Sequence, residues 1–213
     1  MPKSSRDIIE EYLSTGNYSA TFEEIYALAQ ESDGHPPWAY MQATPDLVQW
    51  AEKSKVSGEN QKALVVGCGM GDDAEFLAQA EFTVTAFDVS ETAIRICKER
   101  FSDSEVAYHQ ADLFKLPEDW QGAFDFVLEN RTIQSLPVSM MTQSMNAIAK
   151  LVREKGKLLI LCNGRDHTDT ANNIPHPLSH EELATFSDYG LSEKYFDDIH
   201  VGSVRRFVAL YQR

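Results

Sequence analysis

The sequence predicts a doubly wound α/β fold, in which parallel strands alternate with helices. The first observation is an apolar run at 63–66 that ends in three alternating glycines and two acids, followed by a helical segment. The second is that the apolar segments 82–87, 106–110 and 124–129 each have an acid within two residues of their end. The third is a pair of strand-like segments around the turn 200–203, which predicts a terminal antiparallel hairpin.

Length, composition and charge predict one domain that binds neither nucleic acid nor membranes. The chain has 213 residues, of which 43% are hydrophobic and 24% charged, as is ordinary for a globular domain with a sizeable core. The 33 acids and 19 Lys plus Arg give a net charge of −14, and an acidic surface repels phosphate backbones. No apolar run approaches the roughly 20 residues of a membrane span, and the polar N-terminus has no signal-peptide core.

The cysteines favour a reducing compartment. Cys68, Cys97 and Cys162 are scattered along the chain and odd in number, which favours reduced thiols over a disulfide framework. We therefore expect a cytoplasmic protein. We also expect a monomer that takes a small-molecule substrate and holds no metal.

Residues 1–60 precede the α/β core (61–213) and are predicted to form a helical lid on it. A short helix is predicted over 5–13, and Thr21 with Glu24 forms a capping box that opens the next helix. A later proline is well placed in the first turn of a further helix, which begins near residue 45. The segment has too few apolar residues to fold alone, so it is predicted to lie over the mouth of the sheet.

Trp38 is the most informative residue of this segment. Its aromatic face would make a cation–π contact beside a positively charged ligand. The alternative is that Trp38 packs the lid onto the sheet. Both interpretations stay open on the sequence.

The glycine-rich turn after the first strand, Gly67-Cys68-Gly69-Met70-Gly71, predicts a ligand site. Glycine tolerates positive φ and lets a ligand lie against bare backbone. Asp72 stands where a dinucleotide fingerprint has its third small residue, and with Asp73 it occupies the positive end of the helix dipole that pyrophosphate would need. The turn therefore suits a ligand without phosphate, such as the sulfonium cation S-adenosylmethionine (SAM). The alternative is a plain turn in which Asp72 or Asp73 caps the helix.

Acids also follow the second and third strands. Asp88 lies about 20 residues beyond the glycines, where a carboxylate meets ribose hydroxyls. Ser90 is the more natural cap of the next helix, which leaves Asp88 for the ligand, and Val89 is predicted to lie beside the same ligand. Asp112 is predicted to take the exocyclic amine of adenine, with Leu113 near the ring, or alternatively to be a turn aspartate.

The fourth strand is predicted to supply the substrate side of the site. Glu129 ends this strand, and the polar run 129–134 is predicted to emerge beside the first strand at the cleft, unless it is an ordinary loop. An apolar stripe predicts a helix over 138–152, followed by a turn over 154–157 and a buried strand over 158–162.

The last part of the chain is predicted to complete the pocket and the sheet. The long loop 163–178 is predicted to form the opposite wall of the substrate pocket. Ser179 and Glu182 form a second capping box. Arg205 and Arg206, on the last strand, are predicted to be solvated charges.

These segments resemble the class I SAM-dependent methyltransferases over 61–213. The glycines of the first turn, Asp88 and Asp112 stand at the positions that in this family hold the methionine part, the ribose and the adenine. The resemblance implies a Rossmann-like fold with a seven-stranded, mostly parallel sheet and an antiparallel C-terminal hairpin. It also implies SAM as the cofactor.

A narrower resemblance is to the thiopurine, thiol and halide methyltransferases. It rests on Pro37-Trp38, Ala43-Thr44-Pro45, the turn 67–73, Leu136-Pro137 and the segment 174–179. In that group the lid carries a tryptophan near the cofactor, which favours this role for Trp38. The chain departs from the group in two places. Ala39 stands where an aspartate is usual, and Glu129-Asn130 replaces an aspartate–aromatic pair.

The resemblance implies in-line methyl transfer from SAM to a small acceptor, with a thiol, a halide or a similar small nucleophile favoured. A soft anion needs no general base, whereas a hydroxyl or an amine would, and His35, Glu129 and His176 are then the candidates. The alternatives are a catalytically silent SAM-binding protein and an NAD-linked oxidoreductase. The residues expected to bind the cofactor are Trp38, Gly67, Cys68, Gly69, Gly71, Asp88, Val89, Asp112, Leu113 and Glu129.

Overall fold

The computed structural model describes residues 8, 11, 16–31, 34–169 and 174–213, which build an α/β structure around one sheet. The strands are β1 (Lys62–Val66), β2 (Thr83–Asp88), β3 (Ala107–Gln110), β4 (Phe124–Asn130), β5 (Val152–Asn163), β6 (Ser192–Val201) and β7 (Val204–Gln212). In the described ranges the sheet has seven strands, in the order β3-β2-β1-β4-β5-β7-β6. Strands β1 to β5 pair in parallel, and β7 runs antiparallel to both β5 and β6. The predicted fold class is therefore confirmed.

Helices bury both faces of this sheet. The α-helices in the described residues are α1 (Tyr18–Glu31), α2 (Pro45–Ser54), α3 (Asp72–Gln79), α4 (Glu91–Arg100), α5 (Met141–Ala149) and α6 (His180–Ala184). Strand β5 shows the two layers, because alternate side chains on a strand point to opposite faces. Leu158 and Ile160 pack with the apolar faces of α5 and α6, whereas Leu159 and Leu161 pack with those of α2, α3 and α4.

The sheet order places a topological switch point at β1. From β1 the chain proceeds outward through β2 to β3, and then returns to add β4 on the other side. The loops that leave β1 and β4 therefore diverge and open a crevice at their carboxyl ends, which is where open α/β sheets bind ligands.

The start of α1 differs from the prediction. The helix begins at Tyr18 rather than after Thr21, because Asn17 supplies the cap: its Oδ1 accepts from Ala20 N at 3.3 Å. Thr21 lies inside the helix, and its hydroxyl donates to the Asn17 carbonyl at 2.8 Å. The helix predicted over 5–13 lies outside the described residues, except for Ile8 and Glu11.

The helix predicted over 138–152 is present but ends three residues early, and the turn predicted over 154–157 is wrong. Helix α5 ends at Ala149, and Val152 already begins β5, which runs through the predicted turn. The backbone amide of Lys155 donates to the carbonyl of Arg213 at 3.0 Å, and Arg213 N donates to Gly156 O at 3.0 Å. Long-range pairing with the end of the chain therefore overrides a local pattern that favours a turn.

The remaining predicted elements in the last third of the chain are present. Ser179 and Glu182 form the predicted capping box at the start of α6. The terminal hairpin turns at Gly202 and Ser203, between β6 and β7. No helix in the described ranges has the length and apolar character needed to cross a membrane.

Candidate active site

A cavity of about 250 Å³ opens at the carboxyl ends of β1, β2 and β4. Its floor is the first turn, with Val66, Gly67, Cys68 and Gly69, and α1 covers it from above. Of the residues predicted to bind the cofactor, the cavity is lined by Trp38, Gly67, Cys68, Gly69, Asp88, Val89 and Leu113. The structure thus brings together most of the positions singled out from the sequence.

The glycines of the first turn are needed by the protein itself. Gly67 and Gly71 have φ values of 59° and 87°, which side chains other than glycine rarely adopt. A Cβ on Gly67 would lie 2.4 Å from Thr132 Oγ1, and a Cβ on Gly71 would lie 2.7 Å from the Tyr108 hydroxyl. Gly71 faces Tyr108 and Cys97 and is not among the residues that line the cavity. It shapes the turn from outside, and its predicted contact with the cofactor stays a prediction.

Asp88 lines the cavity from the end of β2, but its carboxylate is already engaged. Gly69 N donates to Oδ2 and Ser90 N donates to Oδ1, each at 3.0 Å. Burial raises the pKa of Asp88, and these backbone hydrogen bonds oppose that shift. Ser90 caps α4 as predicted, and the assignment of Asp88 to the ligand stays a prediction. Each oxygen still has lone-pair capacity for a further donor, such as a ribose hydroxyl.

Asp112 does not reach the cavity lining. Its Oδ1 accepts from the Tyr18 hydroxyl of α1 at 3.0 Å and from Phe114 N at 3.0 Å, which caps the short 3₁₀ turn Leu113–Lys115. The hydrogen bond and burial raise the pKa of Tyr18 to about 12. Leu113 does line the cavity. The predicted adenine contact of Asp112 therefore competes with a protein hydroxyl and stays a prediction.

Residues before β1 form the upper wall. Trp38 is 42% exposed, and its ring packs edge-to-face on Phe22 and Tyr26, with ring centroids 6.1 and 5.9 Å apart. These aromatic contacts lie within residues 1–60, on α1, so the alternative that Trp38 packs the lid onto the sheet stays a prediction. Because Trp38 also lines the cavity, its other predicted role, a contact with a cation, remains open to test.

The two acids that open α3 have different partners. Asp72 forms a bidentate ion pair with Arg100 of α4, with N–O distances of 2.8 and 2.9 Å. Asp73 accepts from Thr44 N at 2.7 Å and Asn130 Nδ2 at 2.7 Å. Gly71, in the left-handed conformation, takes the N-cap position, so the alternative that Asp72 or Asp73 caps α3 is wrong.

Asp73 is a site residue to which the sequence assigned only a place at the helix dipole or a helix cap, and no contact with the cofactor. It lines the cavity, and burial raises its pKa against the opposing hydrogen bonds from Thr44 and Asn130. Through these bonds Asp73 ties together the start of α2, the start of α3 and the end of β4. The pair of acids after the glycines was the signal in the sequence that could have indicated this role. The partners of Asp73 could not be read from it, because they lie 29 and 57 residues away.

Glu129 and the histidine candidates are not brought into the cavity. Glu129 is fully buried at the end of β4 and accepts from Thr132 N at 2.6 Å and Ile133 N at 2.9 Å. His35 and His176 are not among the described lining residues, although Ile174 and Pro175 of the predicted opposite wall are. The proposed base and cofactor roles of these side chains remain predictions that this geometry does not favour.

Arg131 is the cation at the β4 side of the cavity. Its Nη1 donates to Asn130 Oδ1 at 3.0 Å, and its Nη2 lies 3.5 Å from Asp46 Oδ2. Arg206 also pairs with Asp46, at 3.2 Å, with only 15% of its side chain exposed. The prediction that Arg206 is solvated is therefore wrong, because β7 lies inside the sheet and points this side chain at α2.

The charges of the cavity fit a cationic cofactor better than a phosphate. Among the described lining residues the carboxylates are Asp72, Asp73 and Asp88, and the permanent cation is Arg131. Acids at the N-terminus of α3 exclude pyrophosphate from the positive end of its dipole. SAM carries two positive groups, a sulfonium and an ammonium, and one carboxylate. Three lining carboxylates and one lining cation therefore suit it. No cluster of three or more metal-ligating side chains occurs in the part of the chain that the structure describes.

Comparison with known proteins shows that the chain is similar to methyltransferases. Residues 63–156 match the family model described as "Methyltransferase domain". The chain is 25% identical over 174 residues to 2-heptyl-1-hydroxyquinolin-4(1H)-one methyltransferase of Mycobacteroides abscessus, covering 79% of this chain and 75% of that protein. It is 26% identical over 161 residues to probable thiol methyltransferase 2 of Arabidopsis thaliana, covering 75% and 68%.

A solved structure shows the same fold over the whole chain. It is the 1,6-didemethyltoxoflavin-N1-methyltransferase of Burkholderia thailandensis, with 1,6-didemethyltoxoflavin and S-adenosylhomocysteine bound. The TM-score is 0.71 at 16% identity, and the match covers 100% of this chain and 92% of that one. At this identity the likeness carries the fold alone.

Proposed function

We propose that this chain, whose residues 63–156 match a methyltransferase domain, is a SAM-dependent methyltransferase for small molecules whose acceptor presents a nucleophilic heteroatom that is already an anion at neutral pH. A thiolate, a halide or an acidic hydroxyl on nitrogen or an aromatic ring fits this description. SAM, when bound, supplies an electrophilic methyl group on a sulfonium. The observation that carries the proposal is the described part of the cavity lining, which offers a cation, no histidine and no lysine, and carboxylates that are already engaged by the protein.

The cofactor and the acceptor are assigned to opposite halves of the cavity. The turn after β1, Asp88, Val89 and Leu113 lie over the β1–β2–β3 half and would hold the methionine part, ribose and adenine. Arg131 lies at the end of β4 and would face the acceptor. An enclosed site of this kind aligns the two reactants and excludes water, which favours a displacement in which opposite charges neutralise.

The lining offers no general base for a neutral acceptor. Among the described lining residues there is no histidine and no lysine. Asp72 is ion-paired with Arg100, and Asp73 and Asp88 accept hydrogen bonds from the protein. A hydroxyl or amine of ordinary pKa would need a base within hydrogen-bond reach. An acceptor that ionises in water does not.

Arg131 supports an anionic acceptor. The guanidinium has five N–H donors, and its contacts with Asn130 and Asp46 leave donors for a ligand. Its φ of 62° is unusual for a residue with a long side chain, and such backbone conformations cluster at functional sites. In a protein with a net charge of −14, one lining cation provides a local site for negative charge.

We further propose that residues 1–60 act as the lid of the core formed by 61–213. Helix α1 covers the cavity with Tyr18, Phe22 and Tyr26. Its Glu23 accepts from the Ser90 hydroxyl at 2.7 Å and the Thr92 hydroxyl at 2.5 Å, beside the loop that follows β2. A segment held by polar contacts at its edge can open to admit ligands without disturbing the core.

A panel of acceptors tests the proposed function. Release of S-adenosylhomocysteine from SAM is measured with thiophenol, iodide, a hydroxamate and neutral aniline. Turnover is expected with the anionic acceptors and not with aniline. The rate with each weak acid should decrease when the pH is lowered below the pKa of that acid, because the protein does not remove the proton. Preferred methylation of aniline would contradict the proposal.

Substitution of Arg131 tests where the anion binds. Arg131→Met is expected to lower kcat/KM for the anionic acceptors about 10- to 100-fold, the loss of one charge-assisted contact. Binding of S-adenosylhomocysteine should change much less. Arg153→Met is the matched control, since Arg153 is an exposed arginine at the start of β5 that pairs with Asp125 and does not line the cavity. Equal effects of the two substitutions would refute the assignment of Arg131.

A further inference from the structure

Glu129 is a carboxyl that the reaction does not use directly, yet it is built into the wall of the site. Its side chain is 0% exposed, and the amides of Thr132 and Ile133 both donate to the same oxygen, Oε1. The other oxygen, Oε2, is buried without a hydrogen-bond partner among the described residues. A bare carboxylate is costly there, because burial removes its hydration and nothing replaces it at Oε2.

The segment that Glu129 holds forms the β4 side of the cavity. Arg131, Thr132, Ser135 and Leu136 all line it, and we call 131–136 the wall turn. The Thr132 hydroxyl donates to the carbonyl of Val66 at 3.0 Å, which joins the wall turn to the end of β1. Arg131 N donates to a β5 carbonyl at 3.0 Å. These bonds hold Arg131 at its positive φ, so the direction of its guanidinium depends on the wall turn.

A second buried side chain links the wall turn to the opposite wall. Gln134 is 1% exposed, and its Oε1 accepts from Asn163 N at 2.8 Å. Its backbone carbonyl accepts from His176 N at 2.6 Å, next to the cavity-lining residues Ile174 and Pro175. A displacement of the wall turn would therefore be transmitted across the acceptor half of the cavity.

We infer that Glu129 is a positioning residue, which in its neutral form holds the wall turn and thereby places the Arg131 guanidinium against the acceptor. The proton lies on Oε2, and Oε1 remains the acceptor for both backbone amides. The inference rests on the proposed function, because the acceptor role of Arg131 does. It adds a requirement that Glu129 be uncharged, although this residue lies at the end of β4 beside the polar residues Asn130 and Arg131.

The charges around Glu129 agree with a neutral carboxyl. Burial raises the pKa of Glu129 to about 7, against the lowering effect of the Ile133 and Thr132 amides and of Arg131. On β5, the neighbouring Cys162 thiol is also neutral, since burial raises its pKa well above the ordinary value. Above pH 7 the wall turn would contain a buried negative charge. Acceptor binding is therefore expected to weaken as the pH rises through this value.

Two substitutions of Glu129 separate the hydrogen bonds from the charge. Glu129→Gln keeps an oxygen for the two amides and cannot ionise, whereas Glu129→Ala removes the acceptor. In the wild type, the amide NMR signals of Thr132 and Ile133 should titrate with a midpoint near pH 7. In Glu129→Gln they should stay near their low-pH positions at all pH values, and in Glu129→Ala they should lose the shift of a bonded amide.

The kinetic measurement compares the effect of each substitution on acceptor binding with its effect on cofactor binding. In Glu129→Ala, KM for thiophenol is expected to rise at least about tenfold, while the Kd of S-adenosylhomocysteine changes by less than about threefold. Glu129→Gln should restore KM and remove its rise above pH 7. Wild-type amide signals in Glu129→Ala, or equal disturbance by both substitutions, would overturn the inference. If no acceptor is methylated, the proposed function fails, while the amide signals still decide the role of Glu129.

Discussion

At the scale of single residues, the acids of this site divide by what surrounds them. Asp88 and Asp73 face the cavity and accept hydrogen bonds from neighbouring segments, so they remain available to a cationic ligand. Glu129 lies beneath the cavity with one oxygen unpartnered. The sequence shows all three as acids after strands. Only the packing of each side chain decides which one is exposed to the ligand and which one is held neutral.

The pKa of Glu129 predicts how stability depends on pH. The folded-state pKa of about 7 lies above the ordinary value of 4.5, so the folded protein binds the proton more tightly. The stabilising contribution of this group is full below about pH 4.5 and is lost as the pH rises through 7, a change of roughly 3 kcal/mol. Relative to Glu129→Gln, the wild type should lose free energy of unfolding over this window and then level off.

Urea denaturation at several pH values measures this difference. Glu105→Gln is the control, because Glu105 is an exposed carboxyl that does not line the cavity. The difference in free energy of unfolding between wild type and Glu129→Gln could instead stay constant with pH, or the wild type could gain stability as the pH rises. Either result would show that Glu129 is ionised in the folded protein.

At the scale of elements, the helix over the cavity is joined to the core by polar contacts. Glu23 of α1 accepts from Ser90 and from both the hydroxyl and the amide of Thr92. Burial would raise the pKa of Glu23, but these hydrogen bonds outweigh it and lower the pKa. Tyr18 adds a hydrogen bond to Asp112, in the loop after β3. The attachment of α1 thus depends on the same two loops that are predicted to hold the cofactor.

Glu23→Ala tests whether α1 behaves as a lid. Removing the acceptor should lower the protection of α1 amides against hydrogen exchange by about tenfold, while β1 and β5 keep their protection. S-adenosylhomocysteine should also dissociate faster. Glu105→Ala serves as the control on a surface away from the helix. Unchanged exchange in α1 together with an unchanged dissociation rate would contradict the lid.

The elements also show where sequence reasoning succeeds. Strands β1, β2 and β4 are predicted within one residue of their bounds, because a buried parallel strand is a continuous apolar run bounded by turn signals. The first residues of β5 are missed because their partners, such as Arg213, lie far along the chain. The start of α1 is missed because Asn17 and Thr21 are both residues that can cap a helix, and in the structure the cap is Asn17.

At the scale of the whole molecule, the sheet order explains why the site could be located from sequence. Parallel strands bring their carboxyl ends to one edge, so the residues after β1 and β2 meet in one cavity. What the sequence does not give is the direction of each side chain. Asp112 and Glu129 both lie at the ends of strands, as predicted. The Tyr18 hydroxyl donates to Asp112, however, and the wall turn buries Glu129.

The distribution of charge over the molecule is consistent with an anionic acceptor in one half of the cavity. A net charge of −14 keeps the surface acidic, whereas the acceptor half of the cavity presents Arg131. Arg206 and Arg131 share the buried carboxylate of Asp46, so α2, β4 and β7 meet in one ionic cluster beside the cavity. That cluster fixes the acceptor half to the core, whereas α1 covers the cavity through hydrogen bonds and through apolar contacts such as those of Tyr26 with Met70 and Ala93.

The most direct test of the account is calorimetric titration with S-adenosylhomocysteine, comparing the wild type with Asp88→Ala and Asp88→Asn. The wild type should bind, and both substitutions should weaken binding by about 1–3 kcal/mol, with thermal unfolding confirming that the variants are folded. NADH should give no heat, because acids occupy the end of the α3 dipole that pyrophosphate would need. Binding of NADH without binding of S-adenosylhomocysteine, or a dissociation constant unaffected by either substitution, would contradict the assignment of this cavity.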